Sequence, residues 1–227
     1  MDKYNIKPPK AGKGDIAHTA ARTTVSAVPY VGGAAVEILN MIVEPPLNKR
    51  LQEWRESIAE AIEELQQRVE GLTPENLQDN PAFISTVAYA TQAAIRTHQE
   101  AKREALRNAV LNTAAGNELD EDLPLMFVNL VDNFSRFHLQ LLRYFNDRVS
   151  LPVEHFPILQ ESPQLFDQVV KELWDRGLIA MGQGTVPRTP EAFYEKNLHS
   201  GHLVFRGQIT SLGGRFIRFI SSPITQR

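Results

Sequence analysis

Metal or acid–base chemistry needs histidines and carboxylates at defined spacings. The chain has six histidines: His18, His98, His138, His155, His199 and His202. None belongs to a His-Glu-x-x-His pattern, which sets two imidazoles one turn apart on a helix to hold zinc. His199 and His202 are three apart, with Glu195 the nearest carboxylate, and the surrounding residues predict a solvated loop. His98 and His138 fall beside the apolar stripes of expected helices. Each is expected to bond a neighbouring helix rather than serve as a general base. Gly182-Gln183-Gly184 lacks the spacing of a phosphate-binding loop, and no nucleophile elbow is present. Glu53, Glu56, Glu60, Glu63 and Glu64 line one helix and read as a solvated face. Lys102, Arg103 and Arg107 are placed to answer them across helices. No catalytic residue, metal or cofactor is nominated, so the expectation is a protein without enzyme activity.

The whole-chain quantities narrow the class further. The 227 residues include no cysteine, which removes disulfides, thiolate metal sites and thiol nucleophiles and fits a cytoplasmic protein. A net charge of −3 does not suit a protein built to coat nucleic acid. Charge is nonetheless uneven. Residues 1–22 carry Lys3, Lys7, Lys10, Lys13 and Arg22 against Asp2 and Asp15, a net +3. No signal peptide is expected in this polar, proline-bearing start.

The longest weakly charged run is Thr23–Val43, 21 residues with Glu37 as their one charge. Its length could cross a bilayer, but Pro29, Gly32, Gly33 and Asn40 make it a poor constitutive span. Val28, Val31, Val36, Leu39 and Ile42 are the insertion candidates. The competing expectation is that such residues line a helical core. The four lysines of the arm could meet anionic headgroups at about 1 kcal/mol each.

Periodicity then sets out the elements. Residues 1–14 read as a flexible basic arm, and 15–150 as an antiparallel helical bundle. Asp15 caps an expected helix to Ala27, with a break at Pro29 and Gly32-Gly33. A second helix, Ala34–Val43, is expected to stop at Glu44-Pro45-Pro46. Leu51, Trp54, Ile58, Ile62, Leu65 and Val69 recur at three and four, which predicts an amphipathic helix over Leu47–Glu70 closed by Gly71. Thr73-Pro74 and Asn80-Pro81 are start signals. Single helices are expected over Pro81–Thr113 and Leu123–Val149.

Texture changes near residue 150, where Pro152, Pro157 and Pro163 accumulate. Residues 151–227 read as a small α+β module: helix Gln164–Arg176, strand Leu178–Met181, loop Gly182–Asn197, strand Gly201–Gly207, helix Gly213–Ser221. Val169 to Ile179, with Leu173, Gly177, Leu178 and Ile179 at its end, resembles the recognition-position helix of a winged helix. Ile209-Thr210-Ser211-Leu212-Gly213-Gly214-Arg215-Phe216 resembles the close of the same module. The fold class is therefore mainly α, with a C-terminal winged-helix-like module. Such modules often bind DNA, but Asp167, Glu172 and Asp175 suit a DNA groove poorly. Arg206, Arg215, Arg218 and Arg227 are the basic patch that could reverse this.

Four features together resemble bacterial abortive-infection-type proteins over roughly residues 16–220. They are the glycine-broken apolar segment, the mixed-charge stretch Gln99–Ala105, the aromatic-leucine stretch Phe134–Leu142 and the closing module. The resemblance implies a phage-defence effector acting by membrane damage or growth arrest, and it brings no catalytic residue. The alternatives are a winged-helix nucleic-acid regulator and an assembly scaffold. The aromatic residues Trp174, Phe193, Tyr194, Phe205, Phe216 and Phe219 offer the scaffold a docking patch. Expected partners are a protein or a second copy, with conditional membrane contact and no required nucleic acid.

Overall fold

A computed structural model describes residues 31–116, 122–147, 151–152, 155–181, 189–196 and 202–224. Val28, Arg227, the arm over 1–14 and the expected helix Asp15–Ala27 lie outside them, as do Gly182-Gln183-Gly184 and His199. The protein is mainly helical, with a small antiparallel strand region toward its C-terminus. Two compact units are distinguished, residues 1–48 and residues 49–227.

Helix α1 runs Val31–Gln66 with Pro45 and Pro46 inside it. The expected break at Gly32-Gly33 and stop at Pro45-Pro46 are therefore corrected. Proline has no N–H, so the carbonyls of Met41 and Ile42 lose their helical donors. Both residues are exposed, and water can take those carbonyls. The boundary between the units falls just after this proline pair. From Lys49 onward the amphipathic reading holds, with Trp54, Ile58, Ala61 and Leu65 buried at spacings of four, three and four. Gly71 then turns the chain at φ 82°.

Short α2, Pro74–Gln78, is capped by Thr73, whose Oγ1 accepts from the Asn76 N–H. Asn80 caps α3, Pro81–Arg96, accepting from Phe83 N–H at 3.0 Å. Where one helix was expected to Thr113, the chain breaks and restarts as α4, Glu100–Ala114. Thr97 adopts an extended backbone. Its hydroxyl accepts from Gln99 N–H at 3.1 Å, a local bond that competes with the helical ladder. His98 in this break is exposed rather than at a core edge.

The expected helix Leu123–Val149 is likewise two, α5 Leu123–Asn133 and α6 Arg136–Asp147. Extended Phe134 drops its ring into the core between them. β1 (Leu151–Pro152), α7 (Pro157–Glu161) and α8 (Pro163–Asp175) follow, and then β2, Ile179–Ala180. A 3-10 turn at Pro190–Phe193 leads into β3, Tyr194–Lys196, where only loop was expected. The rest is β4 (His202–Phe205), β5 (Gln208–Ile209) and α9 (Ser211–Ile220).

One sheet has the order β1-β4-β3, and β2 pairs separately with β5. Ile179 faces Ile209 across that second pair. The strand after α8 therefore pairs with the short strand before α9, not with the His202–Phe205 strand.

A single cluster of buried side chains runs from Trp54 through Phe127 and Leu142 to Phe216 and Ile220, on both sides of position 150. Phe127 packs against Phe216 and Phe219 with ring centroids 5.3 and 5.4 Å apart. Both ends of α9 are held. At its start Thr210 Oγ1 accepts from Gly213 N–H and donates to the Gly177 carbonyl at 2.6 Å. At its end the buried amides of Asn108 and Asn112 on α4 donate to the carbonyls of Ile220, Phe219 and Ser221 at 2.9–3.0 Å.

The approach at Gly213 is close enough to test. A Cβ there would lie 2.1 Å from the Leu178 carbonyl oxygen, a backbone atom that cannot step aside. Gly214 has only the end of Arg218 nearby, at 3.6 Å. Gly213→Ala is expected to cost about 2 kcal/mol or more by overpacking. Gly214→Ala is expected to be neutral or to gain ~0.5–1 kcal/mol of helix propensity. Urea unfolding of the two variants measures the contrast, and equal midpoints would remove the argument.

Candidate functional site

The insertion candidates fall on α1 where the structure describes them. Val31, Val36 and Leu39 lie in the helix, with side chains outside the described set. Ile42 is 64% exposed, so the expectation that it lines a core is corrected. Met41 is 72% exposed beside it, and Val43 and Leu47 are exposed as well. Every residue from Asn40 to Lys49 is exposed. These four form the densest run of exposed large apolar side chains along the described sequence. Among the described residues no helix is long and apolar enough to cross a membrane.

The basic candidates divide. Arg206, at the end of β4, is ion-paired with Glu195 of β3. Arg215 and Arg218 stand one turn apart on α9, half-buried and exposed respectively, and neither is ion-paired among the described residues. The aromatic docking patch expected near the C-terminus is corrected. Phe193, Phe216 and Phe219 are fully buried, and Trp174, Tyr194 and Phe205 pack partly buried against the same core.

Histidine His138 is the described residue whose environment comes nearest to chemistry. It is buried, at 6% exposure, on the first turn of α6. The Ser135 backbone N–H donates to its Nδ1 at 3.1 Å, and the Ser135 hydroxyl lies 2.9 Å from the same nitrogen. A backbone N–H can only donate, so Nδ1 is an acceptor and the ring proton sits on Nε2. Nε2 then donates to Glu172 Oε2 on α8 at 2.9 Å. This is the expected bond to a neighbouring helix.

Burial is the main force lowering the His138 pKa, and Glu172 opposes it. The Glu172 carboxyl is lowered in turn, first by Gln168. The contact is therefore a neutral imidazole donating to a carboxylate, not an ion pair. The ring also stacks on Phe134, with centroids 4.7 Å apart and planes 1° from parallel.

Serine, histidine and carboxylate in series resemble a nucleophile, its base and an orienting acid. Here the serine caps α6, and its own N–H already occupies the nitrogen that would take its proton. Ser135 lines none of the described cavities. The arrangement locks α5, α6 and α8 together rather than activating a hydroxyl. Two signals in the sequence mark it: Ser135 as a capping residue, and a hydrogen-bonding side chain at the third helical position, as in a capping box. Among the described residues no group of three potential ligands could hold a metal ion.

A depressed histidine pKa carries a definite sign. The unfolded chain takes up the proton near the ordinary value of 6.5, before the folded chain does. This contribution is fully present above about pH 6.5 and is lost as pH falls below it. The urea midpoint of the wild type should drop as pH falls below about 6.5. In His138→Gln that segment should flatten, and identical slopes in the two proteins would contradict the assignment. No family model, curated protein or solved structure matches this chain.

Proposed function

We propose that this chain is a non-enzymatic helical effector that acts through its exposed apolar segment on α1. The observation that carries the reading is the run Met41, Ile42, Val43 and Leu47 within ten consecutive exposed residues. A run of exposed large apolar side chains this dense supports an interaction site along this part of the helix. The basic residues Lys3, Lys7, Lys10, Lys13 and Arg22 precede it in sequence and favour an anionic membrane surface as the final target. A protein partner or a second copy would use the same apolar side chains. The resemblance to abortive-infection-type proteins supports a role in phage defence, and the proposed effector would be cytoplasmic until activated and membrane-associated afterwards. The reading requires no cofactor.

A second reading has its own observation. Arg215 and Arg218 lie one turn apart on α9 without ion-pair partners among the described residues. A nucleic-acid regulator would use them, and its binding would weaken steeply with salt. Arg206 contributes less, because Glu195 already answers it.

Flotation of the full chain with vesicles, with and without anionic lipid, tests the leading reading. An apolar side chain of this size contributes ~1.5–3 kcal/mol when buried. Ile42→Asp should therefore reduce vesicle binding by about tenfold or more. Light scattering on the same variant shows whether self-association depends on the segment. If Ile42→Asp and Met41→Asp leave both readouts at wild-type values, the segment is not the contact surface.

A further inference from the structure

The chain contains four methionines and no cysteine, so its oxidisable sulfur is thioether sulfur alone. Oxidation of a methionine requires the oxidant to reach that sulfur. The three described methionines differ widely in access. Met41 on α1 is 72% exposed, and Met126 on α5 is 39% exposed. Met181, next to β2, packs partly buried against the core. Met1 lies outside the described residues.

Met41 also stands where a change of polarity has the largest effect. It opens the run Met41, Ile42, Val43 and Leu47, within the ten consecutive exposed residues from Asn40 to Lys49. An unbranched thioether is an adaptable apolar group, suited to contact with irregular surfaces. A sulfoxide in its place is polar, and covering it costs the water bound to its oxygen. Ile42, Val43 and Leu47 carry no oxidisable atom. The same helix face is therefore apolar in one redox state and interrupted by a strong dipole in the other. No charge changes, so the basic residues that precede the segment are unaffected.

We propose that Met41 is a reversible oxidation site, and that its sulfoxide switches off the apolar contact made by this segment. The consequence rests on the effector reading; the site does not. The step is a two-electron oxygen transfer from a hydroperoxide. The Met41 Sγ lone pair attacks the peroxide oxygen, an S–O bond forms and the O–O bond breaks. The proton on the transferred oxygen passes to the leaving oxygen, so hydrogen peroxide is reduced to water. A methionine sulfoxide reductase reverses the step, with a dithiol oxidised to a disulfide and the oxygen released as water. With no cysteine in the chain, the oxidising equivalent cannot be diverted into a disulfide of its own.

Peroxide titration of the full chain, followed by peptide mapping, tests the site. Met41 should gain one oxygen atom severalfold faster than Met126 and Met181, and in urea the three rates should converge. The map reads Met1 separately. Flotation with anionic vesicles tests the consequence. Oxidation should weaken binding by about tenfold or more, and methionine sulfoxide reductases should restore it. Met41→Leu keeps the apolar surface without the thioether, so it should bind like the wild type and ignore peroxide. The proposal is overturned if Met126 or Met181 is oxidised as fast as Met41 in the folded chain. It is equally overturned if the Met41 sulfoxide chain binds as well as the untreated one, or if peroxide weakens Met41→Leu as much as the wild type. Should the untreated wild type bind no vesicle, the effector reading falls and the switch with it, whereas the peptide map still decides the site.

Discussion

The buried ends of α9 must find hydrogen-bond partners, and the rest of the fold is arranged around that demand. A helix ends with free N–H groups on one side and free carbonyls on the other. In α9 both ends lie against the core. Thr210 satisfies the start and ties it to Gly177, whose φ of 69° lets α8 turn directly into β2. Two asparagine amides from α4 satisfy the last carbonyls. A carbonyl left without a partner at this depth would cost about 1–3 kcal/mol. α9 is therefore fixed in register against α4 and β5, and its phenylalanines reach Phe127 and Phe134 only in that register. One core then spans the helices and the small sheets, although the composition changes near residue 150.

The features legible in the sequence were those written in local chemistry. Thr73, Asn80 and Thr210 cap the helices that they precede, because a short polar side chain before a helix has few better partners than the free N–H groups. The stripe around Trp54 and Leu65 was legible for the same reason, since a period of 3.6 needs no tertiary information. The breaks at Thr97 and Phe134 were missed because neither carries proline or glycine. Both follow from a competition between bonds. The Thr97 hydroxyl accepts from Gln99 N–H two residues on, and Ser135 has His138. Each offers the backbone an exit from the helix that apolar periodicity does not register. Strand pairing was least legible, since strands of two to four residues carry little pattern of their own.

The candidate surfaces were legible to different degrees. That His138 would bond another helix followed from its place on an apolar stripe. Its partner, Glu172, is 34 residues away and could only come from packing. The aromatic residues of the C-terminal region were read as a docking patch, but their density reflects what a small, thin layer needs to fill its interior. The pairing of α4 with α1 was half visible. Arginines facing the glutamates of α1 were expected, and Arg103 lies 3.8 Å from Glu53 across the two helices.

Residues 40–48 follow a different balance from the rest of α1. Two prolines inside a helix oppose it by about 3 kcal/mol each, and a short helix without packing is marginal in water. Beyond Lys49 that penalty is offset by the burial of Trp54, Ile58, Ala61 and Leu65. Between 40 and 48 every residue is exposed, so packing supplies no comparable term there. A surface covering Met41 and Ile42 would contribute ~1.5–3 kcal/mol per side chain, the same order as one proline's penalty. A surface that covered these side chains would therefore also stabilise the helix that presents them.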